Sequence, residues 1–462
     1  MKKIGMWLAI VLAIVTVTAV FTLSGCTAAD PEVIVETVTE TVIETVTVTE
    51  TVEVGSDTTP IKIGHGTFWT GEAAFVGPPF AAITDFTLGI VNQDPPLGQA
   101  VTVLHSDEGT IGEQQWVQRD VDVNKVDIIL NVGYEYLTYR DWLLDYVATN
   151  NRPLMPSVHG GSISPIYGGT AEEPLFRGSP QDIDQAVVAV IRAMDLGATS
   201  CVVMGAEFDS AQQQKEIAAE AAEIAGMDVL DVIDYEQGKT YRAEVTAIQA
   251  LNPDAILLFG SSPDAGLITK TAAELGMSLI IIGPTDIGFP EFVQAATMDA
   301  INQHVEVSFV GFSYQDGPAW DYYSEAWESD PQYARYADYA DFPFPASNSY
   351  AMQYYDLLNV TMLAIRQAGS LDVADWVDAM FSVANPGGKE VYNYLEGAAA
   401  IDAGEDINYV GPTGPFDYTP TGVVDGSYSA SRFVDAEGTV ELIEVIAGSR
   451  VIEISSQLSV NQ

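Results

Sequence analysis

Between residues 61 and 283 short apolar runs alternate with longer amphipathic stretches, and this alternation restricts the fold more than any other feature of the chain. The strand candidates are IKIG (61–64), AVTVLHS (100–106), VDIILNV (126–132), RPLMPSV (152–158), TSCVVMG (199–205), MDVLDVI (227–233), DAILLFG (254–260) and SLIIIG (278–283). Between them, DIDQAVVAVIRAMDLG and SAQQQKEIAAEAAEIAG carry helical patterns, with Gly197 and Gly226 placed as helix stops. Steady alternation of strand and helix gives an α/β fold of parallel sheets covered by helices.

One internal echo refines this. Asp127-Ile-Ile-Leu-Asn-Val-Gly133 and Asp254-Ala-Ile-Leu-Leu-Phe-Gly260 agree in register at Asp, Ile, Leu and Gly. Two halves of the same plan follow, although a single large sheet with a coincidental likeness stays open. Parallel sheets bind ligands beyond the carboxyl ends of their strands, so two facing sheets would present Tyr134, Glu135, Ser261 and Ser262 to a shared cleft.

At the N-terminus, Lys2 and Lys3 precede the uncharged run MWLAIVLAIVTVTAVFTL, the pattern of an export signal. A run of this length could also span a bilayer. Leu23-Ser24-Gly25-Cys26 resembles the bacterial lipobox, which implies a signal peptide over 1–25, cleavage before Cys26 and lipid on its thiol. The other cysteine, Cys201, lies in an apolar run and behaves as a small hydrophobe, so no disulfide is expected. Residues 26–60 are rich in Thr, Val and Glu and too uniform for a packed core. Their β-branched residues favour an extended tether over a helical stalk.

The chain has 18 Lys+Arg against 65 Asp+Glu, a formal net charge of -47, yet only 18% charged residues. The acidity is therefore mostly a shortage of bases. Such a field excludes nucleic acid, whose phosphates need Lys and Arg. It also excludes a basic helix lying on anionic lipid.

Catalytic patterns are missing. GHGTFWTG follows the first strand, but Trp69 takes the place of the third glycine of a dinucleotide fingerprint. His159-Gly160-Gly161-Ser162 is similar to an esterase oxyanion loop, with no G-x-S-x-G elbow to supply a nucleophile. His65, His105, His159 and His304 have no metal spacing, and each is read as structural except His159, whose loop ends a central strand. No enzyme, metal or cofactor is expected. Instead, aromatic and polar residues recur at strand ends: Trp69 and Thr70, Tyr134 and Glu135, Ser157 and His159, Phe208 and Asp209, Ser261 and Ser262, and Asp286. Together they are the candidate lining of a small-molecule pocket.

These segments resemble the type I periplasmic solute-binding proteins of the leucine/isoleucine/valine-binding group across residues 61 to 450. IKIGHGTFWTGEAAFVG is similar to the family's opening strand and turn, and NNRPLMPSVHGGS to its fourth strand. LFRGSPQDIDQAVVAVIRAMDLGATSCVVMG is similar to the crossover into its second lobe. NPDAILLFGSSPDAGLITKTAAELGM, IIGPTDIG and GPTGPFDYTPTG follow in the family's order. The resemblance implies two doubly wound parallel-sheet lobes joined by a three-strand hinge, a first lobe of 61–178 and 307–410, and a second of 179–306 and 411–455. It also implies a membrane-tethered carrier that passes a small solute to ABC permease subunits. The same fold serves sensors, which is the first alternative, and a surface structural protein is the second. Carried over by position, Ser157 and His159 stand where a ligand carboxylate is held and Asp286 near an ammonium, while Ser262 falls where an aromatic hydroxyl is usual. Glu135 departs from the pattern, since it would repel a ligand carboxylate.

Overall fold

The structure, a computed structural model, describes residues 59–71, 74–133, 135–164, 166–312, 315–330 and 345–459. The export signal, Cys26, nearly all of the tether and Tyr134 lie outside the described residues.

In the first lobe, β1 (Ile61–Thr67), β2 (Val101–Asp107), β3 (Ile128–Leu130), β4 (Met155–Ser157) and β5 (Leu175–Arg177) run parallel. Their order is β2-β1-β3-β4-β5, with β3 and β4 linked by a bridge from Ile128 to Leu154. The second lobe repeats this plan with β6 (Ser200–Ala206), β7 (Asp228–Tyr235), β8 (Ala255–Phe259), β9 (Ile280–Pro284) and β10 (Glu306–Phe312), in the order β7-β6-β8-β9-β10. Beyond β10, β11 (Tyr428–Phe433) and β12 (Val440–Ile446) are added antiparallel.

The strands form where apolar runs can be covered on both faces. Every residue of β8 and β9 is buried, and Cys201 is a buried free thiol within the second core. The covering helices include α1 (Gly77–Val91), α2 (Tyr136–Asn150), α3 (Asp182–Asp195), α4 (Asp209–Ala225), α5 (Arg242–Leu251), α6 (Ser262–Glu274) and α7 (Ser349–Ala368). Asp182 and Asp184 stand in the first turn of α3 and Arg192 in its last. α4 stops at Gly226, whose φ of 84° is costly for other residues.

The echoed segments form the third strand of each lobe, and their aspartates share one task. Asp127 accepts from the Lys62 N–H at the start of β1 (2.9 Å), while Asp254 accepts from Thr199 and Ser200 N–H at the start of β6 (2.9 and 3.0 Å). Each carboxylate thus serves backbone donors where a neighbouring strand begins.

The chain passes between the lobes three times, after β5, after β10 and before β11. β10 is hydrogen-bonded to β9, in the second sheet, and residues Ile407, Tyr409, Phe416, Tyr418 and Val424 pack in the first core. The two later crossings therefore fall further along the chain than boundaries at 306/307 and 410/411. An apolar strand leading into a crossing has the same pattern whichever sheet it joins, so pattern alone misplaces it. No helix among the described residues is long and apolar enough to cross a membrane.

The capping role of Asp254 has a measurable consequence. Asp254→Ala is expected to lower unfolding free energy by about 1 kcal/mol, the scale of exposed charge-assisted hydrogen bonds. A urea midpoint equal to that of the native protein would show that the strand start does not need the carboxylate.

Candidate functional site

The carboxyl ends of both sheets open onto one cavity of about 370 Å3. The first lobe supplies Phe68 after β1, Phe80 from α1, His159 after β4, and Tyr350 and Gln353 from α7. From the second come Asp182 and Gln185 of α3, Phe208 after β6, Ser261 after β8, and Asp286 with Phe289 after β9. No lysine or arginine is among the described lining residues.

Local chemistry fixes the acidic side. Asp182 opens α3 immediately beyond Ser179 and Pro180 of the first crossing, and it accepts no hydrogen bond from the described residues. A Cβ on Gly161 would stand 2.5 Å from Asp182 Oδ1 and 3.1 Å from the Pro180 carbonyl, so a larger residue there would push that carboxylate aside. Asp286 lies in the turn Thr285–Ile287, which is tied down from two sides. Thr285 donates its N–H and its hydroxyl to Gln185 Oε1 (3.1 and 2.9 Å). The Ser262 hydroxyl donates to the Asp286 carbonyl (2.9 Å) and accepts from the Phe289 N–H (3.1 Å).

Across the cleft, the Tyr350 hydroxyl donates to Asp286 Oδ1 at 2.8 Å, and its ring stacks on Phe289 with centroids 6.0 Å apart. Tyr350 is held at the start of α7 by Asn348, whose side chain accepts from the N–H groups of Tyr350 and Ala351. Burial, followed by the charges of Asp286 and Asp184, pushes the Asp182 carboxyl up to about 8. Burial likewise raises Asp286, with the Tyr350 hydrogen bond acting in the opposite sense.

Three of the four histidines form a line that ends at this cavity. Asp85 Oδ1 meets His105 Nε2 (3.2 Å), His105 Nδ1 meets His65 Nδ1 (2.8 Å), and His65 Nε2 meets the Tyr354 hydroxyl (3.3 Å). That hydroxyl also meets His159 Nε2 (2.8 Å) and accepts from Asn131 Nδ2 (2.5 Å). With Asp85 ionised and all three imidazoles neutral, each contact holds one proton and the order of the line is fixed. His105 Nε2–H donates to Asp85, His65 Nδ1–H to His105, Tyr354 O–H to His65, and His159 Nε2–H to Tyr354. His159 Nδ1 is then a bare acceptor, and it has no partner in the structure. Burial holds His159 near a pKa of about 3 and His65 well below the usual imidazole range, so both are neutral at pH 7. His304 stays structural, between Thr269 and Leu279.

Of the residues expected from sequence, His159, Phe208, Ser261, Ser262 and Asp286 line the cavity. Five others do not. Trp69 and Thr70 fold back onto Asp107, which accepts both of their N–H groups and the Thr70 hydroxyl. Glu135 turns away and accepts from the Gln114 N–H (3.1 Å), which removes the repulsion expected from it. Ser157 is fully buried and donates to the Val132 carbonyl (2.6 Å). Asp209 is exposed at the start of α4. Tyr134 lies outside the described residues. Strand-end position alone missed Asp182, Gln185, Tyr350 and Gln353, which lie on helices.

The periplasmic binding protein family profile matches residues 60–428. The chain belongs to that family. This periplasmic binding protein shares its fold with solved solute-binding proteins. A leucine-binding protein from Thermotoga maritima is 18% identical, with a TM-score of 0.63 over 84% of this chain and 99% of its own. The branched-chain amino acid transporter substrate-binding protein of Streptococcus pneumoniae, in complex with isoleucine, is 17% identical, with a TM-score of 0.61 over 84% and 99%. A solute-binding protein of an ABC transporter from R. palustris, in complex with 4-hydroxybenzoate, is 14% identical, with a TM-score of 0.62 over 84% and 97%. Among curated proteins none matches the sequence.

The raised Asp182 carboxyl has a sign that can be tested. Folded, it titrates near 8, against roughly 3.9 for an unfolded aspartate, so folding takes up a proton in between. Its contribution to stability is complete at low pH and is lost as pH rises towards 8. Asp182→Asn is expected to melt a few degrees higher relative to the native protein at pH 8 than at pH 5. Parallel melting curves would mean that Asp182 is ionised throughout.

Proposed function

We propose that this protein is an extracytoplasmic solute-binding lipoprotein. It captures a small polar organic solute, such as a branched-chain amino acid, an amide or a related compound, and delivers it to an ABC importer. The observation that carries this reading is a cavity walled by both lobes that contains buried polar atoms without partners. Ser179 Oγ and Gln353 Oε1 are such atoms, in residues only 5% and 2% exposed. Buried polar groups are nearly always satisfied, so atoms left open in a cleft mark the place of a solute. The isoleucine and 4-hydroxybenzoate in the structural neighbours support the same use of the fold.

The mechanism is population shift. An open form is favoured when empty, and a solute touching both lobes stabilises the closed one, which permease subunits then recognise. Residues 1–25 direct export, and lipid on Cys26 anchors the mature chain to the membrane through the 26–60 tether. The hydroxyl and imidazole groups of the cleft act only in binding; no reaction is assigned to them.

Native mass spectrometry of the purified protein and a thermal-shift panel of amino acids, amides and aromatic acids test the reading. A solute at a hundredfold excess over its Kd adds about 2.7 kcal/mol, which raises Tm by several degrees. No bound mass and no shift with any small molecule would remove the solute-binding assignment. Independently, Cys26→Ser is expected to move the protein from the membrane fraction to the soluble one; unchanged partition would leave an uncleaved N-terminal helix as the anchor.

A further inference from the structure

Several polar atoms in the cleft stand open to a hydrogen-bond donor. Asp182 has no donor, and Asp286 has one, the Tyr350 hydroxyl on Oδ1. Gln353 Oε1 is an acceptor without a partner in a residue 2% exposed. His159 Nδ1 becomes an acceptor through the proton order that starts at Asp85, and it too has no partner. Ser179 Oγ, also without a partner, can serve either role. A primary ammonium group, with three N–H donors and a positive charge, fits this set. A quaternary ammonium brings charge but no donor.

Sites for a solute carboxylate are already taken by the chain itself. The N–H groups of Gly133 and Glu135, at the start of α2, donate to the Glu113 carboxylate at 2.6 and 2.8 Å. Glu113 is 1% exposed and also receives the Tyr139 hydroxyl, so it is fixed in place as an internal acceptor. After β4, the Val158 N–H is used by Asn131 Oδ1 (3.0 Å) and the Ser157 hydroxyl by Val132. Among the described lining residues a carboxylate entering the cleft would find no lysine or arginine and two aspartates instead. The apolar walls include the rings of Phe68, Phe80, Phe208, Phe289 and Tyr350. Aromatic faces suit an apolar body and also attract a cation.

From this geometry we infer that the solute is a primary amine with a branched-alkyl or single-ring body and no carboxylate, its ammonium held between Asp182 and Asp286. The inference rests on the solute-binding reading and narrows it to one chemical class. Calorimetric titration of the purified full-length protein in phosphate buffer, free of amine buffers, tests it. The probes are isopentylamine and phenethylamine, set against leucine, benzoate and benzyltrimethylammonium. A primary amine is expected to bind one to one and at least about tenfold more tightly than the other three. Asp182→Asn combined with Asp286→Asn is expected to lose that preference, while a retained melting transition shows that the variant is folded. Leucine or benzoate binding as well as the amines would overturn the amine class and leave the solute-binding reading in place. Equal binding of benzyltrimethylammonium would overturn the need for N–H donors. Silence from every probe, with an amide or sugar found by native mass spectrometry, would also sink the amine class alone. Silence together with an empty native spectrum would sink both.

Discussion

Parallel strands cannot be joined by a tight turn, and that restriction shapes this protein throughout. Each return to the sheet needs a crossover, here usually a helix, so the loops that follow the strands gather at one edge. Because both lobes use the order second, first, third, fourth, fifth, each has its switch point beside its first strand. Ligand crevices form at such points. Facing the two edges across a three-strand hinge turns two crevices into one cleft. The cavity is thus a result of chain direction, and its chemistry is decided by a few residues in loops and first turns.

Burial alone does not distinguish a structural carboxylate from a binding one; satisfaction does. Asp356 is buried in the first core and titrates near 7, raised by burial and held down by its donors. It accepts from the Tyr409 hydroxyl (2.8 Å) and the Thr413 N–H (3.1 Å), so it knits α7 to the segment 407–413. Asp182 titrates near 8 for a related reason, but a second carboxylate faces it and no donor does. The first arrangement is complete without a solute. The second is not. In a chain with 18 Lys+Arg against 65 Asp+Glu, a cation for that position is scarce among its own side chains.

The fold was legible because parallel strands covered on both faces leave continuous apolar runs, and because Asp127 and Asp254 mark the same place in each lobe. Site residues at strand ends were legible where the loop itself faces the cleft, as at His159, Ser261 and Asp286. The rule failed where a side chain near a strand end points into its own lobe, as with Ser157, or back along the loop, as with Thr70. Tyr350 and Gln353 were hidden by the nature of α7, which is buried on nearly every side and so offers no amphipathic contrast to reveal a cleft-facing edge. The histidine line was hidden by sequence distance. His65 and His105 are partners in the β1–β2 register, each the fifth residue of its strand, and only the strand pairing brings them together.

In the proposed solute-binding mechanism, closure needs a solute that prefers the closed state, and the division of groups between lobes supplies that difference. The second lobe holds both carboxylates, so a cation could bind there with the cleft open. The first lobe contributes Phe68, Phe80, Tyr350, Gln353 and His159, which meet the solute only on closing. Moving a population from 1:99 to 99:1 requires about 5.5 kcal/mol of differential affinity. Covering about 120 Å2 of apolar solute surface is worth about 3 kcal/mol. Hydrogen bonds to Gln353 Oε1 and His159 Nδ1 add about 1 kcal/mol each. The sum is close to what full closure demands. A bare ion, which gains little from the aromatic wall, would fill the acidic side of the cleft without shutting it.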